Sequence, residues 1–247
     1  MKWHGAALTD RGRRRRRNED ALLSLPSSRI YAVADGMGGH AAGNVASHLA
    51  VTALEAAFPR APSPLIHAPA LARRLIRAFE AANTAILAHA AEHPEYSGMG
   101  TTLTALLPLV AAPQCVIAHV GDSRAYRVRN GAISCLTTDH TWVQQQVDAG
   151  MLTPAEVRHH PLSSVLSRVL GTAEVGPADT FVTDVQPGDL FLLCSDGLTN
   201  MVGDDELAAL LTGTAPLDER AAALVATANE RGGPDNITVL LLAAEAA

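Results

Sequence analysis

Four aspartates stand where apolar, strand-length runs begin or end. Asp35 closes Ile30–Ala34 and precedes Gly36, and Asp122 follows the run from Val116 to Gly121. Asp196 follows the run from Leu190 to Ser195 and precedes Gly197, while Asp235 precedes Asn236 and the run Ile237–Leu242. A fifth acidic spot, Glu19-Asp20, precedes Ala21-Leu22-Leu23. Any one of these reads equally well as a turn, because Asp and Gly are turn formers. Five of them beside core strands imply more. Carboxylates gathered at the rim of a buried sheet repel one another unless a cation compensates. An all-oxygen donor set suits hard ions such as Mg²⁺ or Mn²⁺ rather than zinc.

The remaining pattern sets the fold class. Strand signals cover Ile30–Ala34, Thr101–Leu107, Cys115–Val120, Ala125–Arg129, Leu190–Cys194 and Ile237–Leu242. Helical periodicity runs through Gly43–Phe58, Leu71–His93, Trp142–Ala149, Asp205–Leu211 and Leu217–Glu230. Gly131 suits a hairpin turn, and Thr153-Pro154-Ala155-Glu156 reads as a capping box opening a helix. The strands cluster as hairpins instead of alternating with helices, which predicts an α+β layered architecture. The prolines between Pro59 and Pro69 mark a loop inside one domain that spans residues 1–247.

Composition removes several chemistries. The 247 residues are 48% apolar, enough for a real core, but only 4% aromatic, so that core is aliphatic. A net charge of −6 is not that of a general nucleic-acid binder. Lys2 is the only lysine, so no P-loop, kinase or Schiff-base lysine exists. Cys115, Cys135 and Cys194 are odd in number and far apart, which points to a reducing compartment. None is followed six residues later by arginine, as a cysteine-based phosphatase requires; Gly121, Thr141 and Asn200 stand there. No apolar stretch reaches the roughly 20 residues of a membrane span. Residues 1–17 lack a signal-peptide h-region, so a cytoplasmic location is expected.

Nucleophile and zinc motifs are missing as well. There is no HExxH, and neither Ser195 nor Ser123 sits in GxSxG. His159-His160 lies in a polar loop and is not spaced to face one metal from regular structure. A carboxylate-dominated site without a nucleophile suggests water activated by metal, with two ions clamping the oxygens of a phosphate ester. Arg11, Arg13, Arg14, Arg15, Arg16 and Arg17 fall within seven residues. This run reads as a fork for a substrate phosphate, as the solvated face of a strand, or as a nucleic-acid tail.

Seven motifs occur in one order: Arg-Asn-Glu-Asp at 17–20, Asp-Gly-Met-Gly-Gly-His at 35–40, Gly-Met-Gly-Thr-Thr at 98–102, Gly-Asp-Ser-Arg at 121–124, Thr-Thr-Asp-His-Thr at 137–141, Ser-Asp-Gly-Leu at 195–198 and Gly-Gly-Pro-Asp-Asn at 232–236. Together they resemble the metal-dependent PPM, or protein phosphatase 2C type, phosphatases, and among them the compact bacterial branch. The resemblance runs from about Leu8 to Leu242.

That resemblance implies a four-layer α-β-β-α sandwich with the site at one edge. It implies two Mn²⁺ or Mg²⁺ ions and a weaker third. Asp35 would bridge the two ions, the Gly36 carbonyl would serve one, and Asp196 and Asp235 the other. Glu19 and Asp20 would act through water, and Asp122, with Asp196, would hold the third ion. Arg15 would bind the phosphoryl group, so that Arg15, Asp35 and Asp196 form the catalytic set. Met37 replaces the histidine that eukaryotic relatives carry after Asp-Gly, and it cannot donate a proton. Residues 139–167 resemble a mobile flap that selects substrate. The implied activity is hydrolysis of phosphoserine and phosphothreonine on proteins by direct attack of water, opposing a bacterial Ser/Thr kinase. The partners are phosphoprotein substrates and that kinase, with no nucleic acid and no membrane, and the chain is expected to be a monomer. The alternative is a catalytically silent phosphoprotein-binding module on the same fold.

Overall fold

A computed structural model describes residues 1–38, 42–58, 67–157 and 160–246. The strands are β1 (Lys2–Asp10), β2 (Asp20–Leu25), β3 (Ile30–Met37), β4 (Gly100–Thr101), β5 (Leu103–Pro108), β6 (Gln114–Val120), β7 (Arg124–Arg129), β8 (Ala132–Cys135), β9 (Asp179–Asp184), β10 (Leu190–Cys194) and β11 (Ile237–Glu245). The helices are α1 (Ala42–Ala57), α2 (Ala68–Glu92), α3 (Trp142–Asp148), α4 (Pro154–Val157), α5 (Asp196–Thr199), α6 (Asp204–Leu211) and α7 (Leu217–Glu230). One antiparallel sheet runs β1-β11-β10-β7-β8. The other runs β2-β3-β5-β6-β9, with β4 paired to β3.

Side-chain alternation stacks these elements into an α+β sandwich. In β3, Ile30, Ala32 and Ala34 join the core beneath α1 and α2, while Tyr31 and Val33 face the opposite sheet. In β10, Leu190, Leu192 and Cys194 pack under α6 and α7, while Phe191 and Leu193 face inward. The same period of two divides β11. Both faces of the central strands are therefore buried, which is why each reads as an unbroken apolar run. Fully burying such a Leu or Val contributes about 1.5–3 kcal/mol. Among the described residues no helix is long and apolar enough to cross a membrane.

Antiparallel pairing explains where the acidic residues go. The end of β3 lies beside the start of β5, and the start of β5 beside the end of β6. In the other sheet the ends of β10 and β1 flank the start of β11. One rim thus collects Asp20, Asp35, Asp122, Asp196 and Asp235, although they are spread over more than 200 residues of sequence.

Several local expectations are refined. The run Thr101–Leu107 is interrupted at Thr102, because the Asp35 N–H bonds the Thr102 hydroxyl (2.9 Å) instead of continuing the backbone ladder. The β7–β8 hairpin turns through Asn130 and Gly131, both at positive φ (52° and 79°), the geometry of a type I′ turn. At α4 the Glu156 carboxylate accepts both the Thr153 N–H (2.8 Å) and its hydroxyl (2.7 Å), so the capping is one-sided. The strand reading of the arginine run is wrong. Residues 11–17 form a turn, with Gly12 at φ 77° and the Arg13 and Arg14 N–H groups donating to the Gly233 carbonyl (2.7 and 3.2 Å). Most of the proline loop (59–66), together with Gly39, His40 and His159, lies outside the described residues. His160 makes a ring contact with Trp142 at 5.3 Å.

Candidate functional site

Asp35 sits at the end of β3, opposite Asp20 across the β2–β3 ladder. Its backbone is fixed from the β4–β5 junction: its carbonyl accepts from the Thr102 N–H (2.9 Å) and the Thr101 hydroxyl (2.9 Å). The next residue has no room for a side chain. A Cβ on Gly36 would lie 2.1 Å from the Gly43 carbonyl oxygen in α1 and 2.5 Å from that of Glu19. Glycine here lets the strand end, the first helix and the Glu19 backbone close on one point.

Asp20 bolts the two sheets together. Its Oδ2 accepts from the Ser195 hydroxyl (2.8 Å) and the Thr238 hydroxyl (2.6 Å) of the opposite sheet. Its Oδ1 is buried with no protein partner, and so is Oδ1 of Asp196. Asp196 uses its other oxygen to accept from Asn200 (3.0 Å). A buried, unpaired carboxylate oxygen is costly.

The pattern of protonation agrees. Burial, opposed by the Thr238 and Ser195 hydrogen bonds, pushes Asp20 up to about 7. Burial also raises Asp35, Asp122 and Asp196, with repulsion from neighbouring aspartates adding to each. Among the described residues only Arg15 brings positive charge into the cavity: its Nη2 donates to Asp235 Oδ2 at 2.6 Å. The cavity holds about 410 Å³ and includes Arg15, Glu19, Asp35, Asp122, Asp196 and Asp235 in its wall, with Met37, Ser164 and Leu166 beside them. Every predicted site residue except Asp20 lines this space. Asp20 is 4% exposed and stands behind it. No histidine or cysteine is among the lining residues described.

This donor set fits hard cations. Two buried carboxylate oxygens lack partners, and five acidic groups meet one guanidinium. Among the described residues no three Asp, Glu, His or Cys side chains close into a ready-made cage.

Sequence reasoning left the residues that aim this machinery without roles. Asn236 is 4% exposed and clamps the arginine turn. Its Nδ2 donates to the Arg11 and Arg17 carbonyls (both 2.9 Å), and its Oδ1 accepts from the Glu19 N–H (2.8 Å). His140 ties the base of the 139–167 segment to the turn carrying Asp122, exchanging hydrogen bonds with Gly121 through its N–H (2.7 Å) and Nδ1 (3.0 Å). Arg124, from the Gly-Asp-Ser-Arg motif, grips Asp139 at 2.8 and 2.7 Å. All three residues lie inside the seven motifs, which was the available signal.

Residues 9–238 match the family model described as protein phosphatase 2C. The chain belongs to the protein phosphatase 2C family. The serine/threonine phosphatase stp of Listeria monocytogenes is 40% identical over 242 residues, covering 97% of this chain and 95% of that protein. The crystal structure of the Mycobacterium tuberculosis serine/threonine phosphatase PstP/Ppp superposes with a TM-score of 0.91 at 40% identity, covering 99% of each chain. A second PstP structure, a catalytic domain in complex with two manganese ions, gives 0.86 at 38% identity, again covering 99% of each. The chain is an enzyme of the same class as these phosphatases. The α+β sandwich and the family expected from the motifs are both borne out.

Proposed function

We propose that this chain is a divalent-metal-dependent serine/threonine protein phosphatase, hydrolysing phosphoserine and phosphothreonine on proteins and opposing a bacterial Ser/Thr kinase. The observation that carries this reading is the cavity itself: five acidic groups around one arginine, backed by buried carboxylate oxygens without partners. Asp35, the Gly36 carbonyl, Asp196 and Asp235 hold two Mn²⁺ or Mg²⁺ ions. Glu19 and Asp20 act through water, and Asp122 with Asp196 holds a weaker third ion. When bound, such ions lower the pKa of water and stabilise charge on phosphoryl oxygens.

The chain's own groups do the rest. Arg15, half exposed and held by Asp235, presents a planar fork to the phosphoryl oxygens. Thr102 keeps Asp35 aimed, because its hydroxyl receives the Asp35 N–H and bonds Ser123 (2.7 Å). Water attacks phosphorus directly, with its proton passing to solvent, and no phosphoenzyme forms; the lining carboxylates are the groups that would hold metal, and no cysteine lines the cavity. Met37 lines the cavity and cannot donate a proton, so the leaving alkoxide takes its proton from water. The 139–167 segment contributes Ser164 and Leu166 to the wall and selects among phosphoprotein substrates. The single domain works as a monomer in the cytoplasm.

The deciding experiment measures turnover of a small aryl phosphate and a phosphothreonine peptide, with Mn²⁺ and with chelator, beside the Asp196→Ala variant. Turnover that needs metal and collapses in the variant is expected. A folded protein inert with every divalent ion would sink the reading and leave the silent phosphoprotein-binding module.

A further inference from the structure

Six of the chain's eighteen arginines lie between Arg11 and Arg17, in a protein of net charge −6. One of the six pairs with a carboxylate of the site: Arg15, with Asp235. Arg11 braces the turn by donating to the Arg16 carbonyl (3.4 Å), and it lies with Arg13 near Asp10, whose pKa both help to lower. The side chains of Arg14, Arg16 and Arg17 are exposed and have no hydrogen-bond or ion-pair partner among the described residues. They flank Arg15, the one arginine of the six that lines the cavity, and successive Cα atoms stand only about 3.8 Å apart, so the turn that carries them borders the cavity.

The main chain that carries them is fixed. Gly233 holds the Arg13 and Arg14 amides, and Asn236 holds the Arg11 and Arg17 carbonyls. Gly12 cannot be replaced without collision, since a Cβ there would meet the Asp235 carbonyl oxygen at 2.0 Å. Three exposed cations on a fixed turn form an anion surface with little backbone ordering left to do on binding.

The location gives that surface a purpose. A phosphopeptide that places its phosphate beside Arg15 brings its flanking residues close to Arg14, Arg16 and Arg17, whose unpaired positive charges attract acidic side chains. We propose that Arg14, Arg16 and Arg17 form a docking rim for acidic residues flanking the phosphorylated serine or threonine, so that this enzyme prefers acidic phosphoprotein segments. This rests on the phosphatase reading and names the substrate class for that same site.

The test compares two phosphothreonine peptides that differ only in glutamate or glutamine flanks, using wild type and the triple variant Arg14→Gln, Arg16→Gln, Arg17→Gln. Exposed charge pairs are individually weak, so three together should give about a tenfold preference in kcat/KM for the acidic peptide. The preference should lie in KM, shrink as salt rises, and fall to about twofold or less in the triple variant. Aryl phosphate turnover, which involves no flanking residues, should be unchanged. Equal kcat/KM for both peptides in wild type, or a preference that survives in the triple variant, overturns the proposal. Fluorescence anisotropy of the labelled acidic peptide reads the rim without chemistry. If aryl phosphate is not hydrolysed, the phosphatase reading fails, and the rim is still decided by whether the triple variant loses that binding. Duplex DNA binding that the triple variant loses, with no peptide preference, would overturn the proposal in favour of a nucleic-acid surface.

Discussion

Arg15 Nη2 lies 2.6 Å from Asp235 Oδ2, joining two residues 220 positions apart across the mouth of the site. The pair holds the guanidinium over the carboxylate cluster before any phosphate arrives. Because Arg15 is about half exposed, the contact itself adds little to stability.

Arg15→Ala should therefore fold normally and lose activity. Removing one preorganised donor aimed at developing charge lowers kcat by about 10²–10³-fold. Arg15→Lys should recover only part of this, since an ammonium cannot bind two oxygens in one plane. Steady-state kinetics on an aryl phosphate, with thermal melts as the folding control, measure both.

The metal-free protein should lose stability as pH rises from about 4 to about 7. Asp20 is raised from 3.8 to about 7, and Asp35, Asp122 and Asp196 move in the same direction. The folded state then keeps protons that the unfolded chain has already released, so this contribution is complete below the unfolded values and lost on passing the folded ones. Below about pH 4 the trend should reverse, because Asp10 and Asp179 are held below their ordinary value by hydrogen bonds and neighbouring charges that outweigh burial. Mn²⁺ at a hundredfold excess over its Kd should add about 2.7 kcal/mol at neutral pH, which corresponds to a rise in Tm of about 5–10 °C. Melts across pH with chelator or Mn²⁺ check the sign; a metal-free Tm that climbs between pH 4 and 7 would refute it.

Asn236→Ala should destabilise the fold and disorder the arginine turn together. The change strands two carbonyls and the Glu19 N–H at a buried position, at a cost of about 1–3 kcal/mol. Urea unfolding should show a lower midpoint with an unchanged slope. Catalysis should fall as well, since Arg15 sits within that turn. Full activity in a destabilised variant would separate the clamp from the site.

Gly36→Ala should be more damaging than its size suggests. The new methyl would collide with backbone oxygens, which cannot rotate away as a side chain can. An overpacking penalty of about 1–3 kcal/mol is expected, with weaker retention of Mn²⁺ as the strand end is forced from α1. Calorimetry of Mn²⁺ binding and a thermal melt test the two effects separately.

Legibility in the sequence followed burial. Strands β3, β6, β10 and β11 are covered on both faces and appear as unbroken apolar runs, which the reading found with only small errors at their ends. The edge strand β1 did not show. Most of β1 is exposed, and it is a strand because nine of its residues pair with β11, not because its own pattern alternates. The arginine run was open for a related reason. A solvated strand face was one of its three readings, whereas Gly12 at positive φ and the distant Gly233 and Asn236 turn it into a loop.

By itself the sequence determined which side chains are available for chemistry and that each stands at a strand end. Those facts depend on residue identity and local order, and both are written in the chain. Only the tertiary structure decided that Asp20 would spend one oxygen on Ser195 and Thr238, that Arg15 would rest on Asp235, and that Asn236 would hold the turn. Each of these contacts spans 175 or more residues. They exist because antiparallel pairing and sheet stacking bring the rims of two sheets together, a geometry that no local pattern encodes.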